Sequence, residues 1–88
     1  MIRALFVGGV VDNSELDLEP DTAPVHYPPD GGGHARYRLR QLGVRGDGGT
    51  ACAVYGAPDT PPEEVRRISG ERGYARRFEV ELEEVDGD

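Results

Sequence analysis

"FVGGVVDNSE", residues 6–15, begins at the end of an apolar run, "IRALFV", at residues 2–7. If Gly8-Gly9 were the floor of a phosphate loop, the chain would be a nucleotide protein. If they only bend the chain, residues 2–19 form a hairpin. The flanking patterns favour the hairpin. Ile2, Ala4 and Phe6 share one face of a strand and Leu5 and Val7 the other, which predicts an interior strand. Residues 14–19, "SELDLE", alternate, with Leu16 and Leu18 inward and Glu15, Asp17 and Glu19 outward. A strand therefore follows the glycines, and no helix N-terminus is there to receive a phosphate. The stretch also lacks the Gly-Lys-Ser/Thr of a P-loop and the third glycine of a dinucleotide fingerprint. Gly8 and Gly9 are expected to let the strand end bend or bulge. Asp12, Asn13 and Ser14 have the short polar side chains that cap turns.

The next signals extend the sheet. Residues 20–34, "PDTAPVHYPPDGGGH", carry four prolines and three consecutive glycines and predict a long loop. Only Val25-His26-Tyr27 offers a short extended piece. Residues 34–42, "HARYRLRQL", place Ala35, Tyr37 and Leu39 on one face and Arg36, Arg38 and Arg40 on the other. "GDGG", residues 46–49, is a turn signal. "TACAVYGA", residues 50–57, reads as the second arm and a central strand.

One helix is expected after Thr60. Thr60 is a candidate N-cap, Pro61 takes the first helical position and Glu63 completes a capping box. Glu63 and Glu64 suit the positive end of the helix dipole. Val65 and Ile68, with Arg72 as a further candidate, line one face, and Gly70 or Gly73 ends the helix. Residues 74–85, "YARRFEVELEEV", are expected to close the fold as a strand, with Phe78, Val80 and Leu82 alternating with Glu79, Glu81 and Glu83. The reading is a single α+β domain over residues 1–88. It has a small antiparallel or mixed sheet of about five strands, one helix in the C-terminal half packed on one face, and a polar tail at 86–88.

Composition narrows the chemistry. The chain has 17 acidic and 10 basic residues, a formal net charge of −7. Every basic residue is Arg, so no lysine amine exists for Schiff-base chemistry. An acidic domain repels phosphate backbones, which disfavours direct nucleic-acid binding. Cys52 is the single cysteine, so no intrachain disulfide or Cys-only zinc site can form. A reducing, cytoplasmic setting fits that usage. No apolar stretch reaches the roughly 20 residues of a membrane span. His26, His34, Cys52 and Asp30 match no compact ligand spacing, so neither metal nor cofactor is expected. No nucleophile–base pair can be named, so no catalytic residue is assigned and a non-enzymatic protein is expected.

The candidate binding residues are Arg36, Arg38 and Arg40, Glu79, Glu81 and Glu83, and His26, Tyr27 and His34. The two charged triplets are expected to face each other on neighbouring strands, each pair contributing roughly 0.2–1 kcal/mol. Should they not pair, both become contact surfaces.

Gly8, Gly9, Asp12 and Asn13, followed by Leu16, Leu18 and Pro20 and by the later "RYRLR" strand, resemble a pattern in short uncharacterised phage and prophage proteins. The resemblance covers about half the chain. It implies no activity and no catalytic residue, but favours a small accessory or inhibitor protein that acts by contact with a host macromolecule. The expected function is therefore a protein–protein interaction module, acidic and homodimeric through open strand edges, able to meet a basic surface such as the nucleic-acid site of a host protein. The alternative expectation is a binder of small anionic ligands or nucleotide derivatives, using the 20–34 loop and the Arg36/Arg38/Arg40 stripe.

Overall fold

A computed structural model of the chain describes residues 1–19, 22–28 and 36–85. The elements run β1 (Ile2–Val7), β2 (Glu15–Leu18), β3 (His26–Tyr27), β4 (Tyr37–Val44), β5 (Thr50–Gly56), α1 (Pro62–Glu71), α2 (Tyr74–Phe78) and β6 (Glu81–Glu84). The sheet order is β2-β1-β5-β4-β3, and β6 lies beside β4. The β1–β5 pair is parallel and the others are antiparallel, so the sheet is mixed. The small α+β architecture read from the sequence is the observed one.

β1 sits between β2 and β5 because it is apolar on both faces. Ile2, Ala4 and Phe6 enter one core with Leu18, Tyr37, Leu39, Ala53 and Tyr55. Leu5 and Val7 enter a second core with Cys52, Val54, Val65 and Tyr74. The first core is aromatic. Phe6 meets Tyr37 edge-on at 5.2 Å and stacks on Tyr55 at 5.6 Å between centroids. Such pairs add about 0.5–1.5 kcal/mol each beyond burial. The second core lies under α1, whose Val65 and Ser69 are fully buried. Too short to stand alone, α1 is held by this docking.

The start of α1 differs from expectation. Its N-cap is Pro61, without a side-chain cap hydrogen bond, and Pro62 is the first helical residue. Thr60 is buried instead and packs beside Gly8, so its hydroxyl does not form the expected capping box. The end is as read: Gly73, at φ 67°, follows the C-cap Arg72 and donates its N–H to Gly70 O.

The larger correction concerns residues 74–85. Tyr74–Phe78 is a helical turn, bracketed by the left-handed Gly73 and Glu79, and only Glu81–Glu84 is strand. Packing explains the change. A strand would put Arg76 on the same face as Tyr74, Phe78, Val80 and Leu82. The helical turn sends Tyr74 and Phe78 into the second core and leaves Arg76 and Arg77 exposed. The arginine strand also starts later than expected, at Tyr37, and runs on to Val44. Ala35, His34, loop residues 20, 21 and 29–33 and the tail at 86–88 lie outside the described residues.

Candidate functional site

The Gly8-Gly9 stretch is a strand-to-strand turn between β1 and β2. Gly8 and Gly9 have φ of 81° and 70°, and Asn13 has φ of 69°. A Cβ on Gly8 would collide with the Thr60 hydroxyl. The Asp12 carboxylate accepts the Gly8 N–H at 2.7 Å and an Arg72 N–H at 2.8 Å. The Arg72 guanidinium and the Gly8 N–H hold this carboxyl below its usual range. The Tyr37 hydroxyl donates to Gly8 O and accepts the Val11 N–H at 3.1 Å. The Asp12 carboxylate and the Tyr37 hydroxyl are thus engaged within the protein itself.

The same flank carries an arginine–carboxylate network. Arg77 makes a bidentate pair with Glu15, with both N–O distances at 2.6 Å. Arg3 reaches Glu15 at 3.1 Å and Asp17 at 2.8 Å. Arg77 is the main reason the Glu15 carboxyl is held low. The pairs tie α2 to β2 and β2 to β1.

The opposite flank is different. β6 pairs with the far half of β4, in the register Gln41↔Glu84, Leu42↔Glu83, Gly43↔Leu82 and Val44↔Glu81. This corrects the expected opposition of the charged triplets. The residues opposite Glu81 and Glu83 are Val44 and Leu42, because the α2 turn delays the start of β6. The triplets are also on different faces. Leu42 belongs to the aromatic core, so its partner Glu83, and Glu81 two residues away, point to that side. Arg38 pairs with Gly56, two residues beyond the inward-facing Val54 of the second core, and so projects from the α1 side. A bulge between Leu39 and Gln41 leaves Arg40 there too, its stem over Gly56 near Val65. Among the described residues no ion pair joins Arg36, Arg38 or Arg40 to Glu79, Glu81 or Glu83.

Glu79, Glu81 and Glu83 are exposed. With Val44, Arg45, Gly46, Ala75 and Val80 they line an open cleft of about 370 Å³. β6 has no second strand neighbour among the described residues. Val85 N–H donates to Arg40 O at 2.9 Å. The antiparallel alternation then turns the main-chain groups of Glu81 and Glu83 toward β4 and those of Leu82 and Glu84 outward.

The loop residues separate as well. Tyr27 packs at 5.6 Å from Phe6 in the aromatic core, whereas His26 is opposite Arg38. Arg36 donates to Pro28 O at 3.2 Å. His34 lies outside the described residues. Sequence reading missed a second cavity of about 280 Å³, walled by Phe6, Val10, Val11, Leu16, Tyr27 and Tyr37. The exposed Val10-Val11 step beside the glycines was its one visible signal. Cys52 is fully buried, and desolvation pushes its thiol up to about 11, the behaviour of a core residue. Among the described residues no three His, Cys, Asp or Glu side chains gather as a metal site. No described helix is long and apolar enough to cross a membrane.

No family model, curated protein or solved structure matches this chain.

Proposed function

We propose that the protein is a non-enzymatic contact module whose acidic β6 edge receives a basic segment of another macromolecule. The observation that carries this reading is the placement of Glu79, Glu81 and Glu83. They are exposed, free of ion pairs among the described residues, and adjacent to a strand edge with outward main-chain groups. Three like charges held together repel one another, and a cationic partner relieves that repulsion. The outward Leu82 and Glu84 groups supply strand-addition hydrogen bonds, and the carboxylates supply the sign of the partner. A second copy docked edge to edge would set glutamates against glutamates, so a basic strand fits this edge better than self-pairing does. The resemblance to short phage proteins supports a setting in which that partner belongs to a host.

A titration with an extended peptide of alternating Arg and Val, monitored at the Leu82 and Glu84 amides, tests this reading. Saturable shifts that vanish in the Glu79→Arg, Glu81→Arg, Glu83→Arg triple variant are expected. Binding that survives the triple reversal would contradict the acidic edge as the contact.

A further inference from the structure

We infer that Arg38 and Arg40, with His26 beside them, form a binding site for a single phosphate group on a small molecule. The inference does not depend on the acidic edge, which projects from the other side of the sheet.

The first observation is a contrast among arginines. Arg3, Arg45, Arg66, Arg67, Arg72 and Arg77 each meet a carboxylate. In a chain with 17 acidic residues that is the expected state of an arginine. Among the described residues, the side chains of Arg38, Arg40 and Arg76 make no ion pair and no hydrogen bond; Arg76 is exposed on α2, whereas Arg38 and Arg40 are half-buried on β4. They nevertheless lie two residues apart on one strand, on the same side of the sheet, about 7 Å along the chain. Two like charges at that spacing repel each other, and neither is offset by an ion pair among the described residues.

The second observation is that Arg40 is built in. Its stem lies over Gly56 next to Val65, where a Cβ on Gly56 would press on both. Its Nε is enclosed and has no acceptor. The enclosed Nε fixes the stem, and the terminal guanidinium nitrogens, which are not among the enclosed atoms, are the donors open to an oxyanion. Glu84, opposite Gln41 on β6, is already held by the Gln41 amide at 2.7 Å and by Arg66 at 3.6 Å.

The third observation is a converging donor. His26 is the register partner of Arg38. Directly opposed residues share a face with their Cβ atoms about 5 Å apart. His26 therefore shares the face of Arg38 and is its cross-strand neighbour. Two guanidinium forks and an imidazole match the charge and the oxygen count of a phosphate better than those of a lone carboxylate. The rest of the molecule selects against a polymer. A nucleic-acid backbone would run on across a surface of net negative charge, whereas one phosphate meets only the local cations.

The test is an amide and Arg Nε–H NMR titration of the full chain with inorganic phosphate and with a nucleoside 5′-monophosphate, at ionic strength held constant with chloride. Saturable shifts at Arg38, Arg40, Gly56 and the Arg40 Nε–H are expected. Arg38→Gln should weaken the apparent affinity at least tenfold. Arg40→Met, which keeps the apolar stem over Gly56, should do the same, while Glu81→Gln with Glu83→Gln leaves it unchanged. Equal affinity for the two probes would assign recognition to the phosphate alone, and tighter nucleotide binding would assign it to a nucleotide; either supports the site. Shifts that chloride reproduces, or that persist unchanged in a folded Arg38→Gln variant, would overturn it.

Discussion

The two flanks of the sheet use the same residue types to opposite ends. At β2, Asp12, Glu15 and Asp17 are each held by Arg72, Arg77 or Arg3, and the contacts join the first hairpin to the helices. At β4 and β6, the arginines and glutamates are as numerous in sequence, yet Arg38 and Arg40 emerge on one face and Glu81 and Glu83 on the other. Charge on the first flank is spent within the fold. On the second flank Glu84 is held by Gln41 and Arg66, while Arg38, Arg40, Glu79, Glu81 and Glu83 remain available for something outside the fold. The difference comes from strand register and face. Composition does not distinguish the flanks.

Breaking the first flank should cost stability, and the largest cost is at its turn. Gly8→Ala adds a Cβ at φ 81° against the Thr60 hydroxyl. The backbone penalty and the overlap together should remove about 2–4 kcal/mol. Thermal unfolding should show a melting temperature lower by roughly 10 °C or more. Tyr37→Phe comes next. It strips the Gly8 carbonyl and the Val11 N–H of their shared hydroxyl. A loss of about 1–3 kcal/mol is expected, with faster hydrogen exchange confined to residues 8–14.

Glu15→Gln should do less, because the pairs it breaks are partly exposed. About 0.5–1 kcal/mol is expected in urea unfolding, shrinking as salt is added. The sign of the pH dependence is fixed by the same contacts. Glu15 and Asp12 titrate below their ordinary values of 4.5 and 3.8 in the folded protein. Their contribution is complete above those values and is lost as pH falls through the lower folded ones. Glu15→Gln should therefore flatten the acid side of the stability profile and leave neutral pH with only the small loss above. Per site, the smallest effect on folding belongs to the second flank. Replacing Glu79, Glu81 and Glu83 together should change unfolding free energy by no more than about 0.5 kcal/mol per site, while abolishing binding of a basic peptide.

Most of the fold was legible because its signals are local. The two-sided apolar run of Ile2–Val7 announced an interior strand, and the alternation of Leu16 and Leu18 announced its hairpin partner. Prolines and glutamates after Thr60 announced a helix, although burial of Thr60 beside Gly8 moved the cap to Pro61. The parallel β1–β5 pairing had no local signature, because it joins segments about fifty residues apart. Tyr74–Phe78 misled for a definable reason. Apolar residues four apart fit a helical turn and a strand equally well, and only the position of Arg76 separates the two. That turn set the register of β6, and the register decides whether the charged triplets meet. The candidate residues were legible by type, but their division between faces was not, since the Arg40 bulge and the β6 offset are both tertiary.

The central claim is that the arginine and glutamate triplets are energetically independent. A double-mutant cycle between Arg40 and Glu83, read by urea unfolding and set beside the Arg77–Glu15 cycle, tests it directly. A coupling within about 0.3 kcal/mol of zero for Arg40–Glu83 is predicted, against a clear favourable coupling for Arg77–Glu15. A favourable Arg40–Glu83 coupling above about 0.5 kcal/mol would mean that the two stripes pair, and would contradict the account.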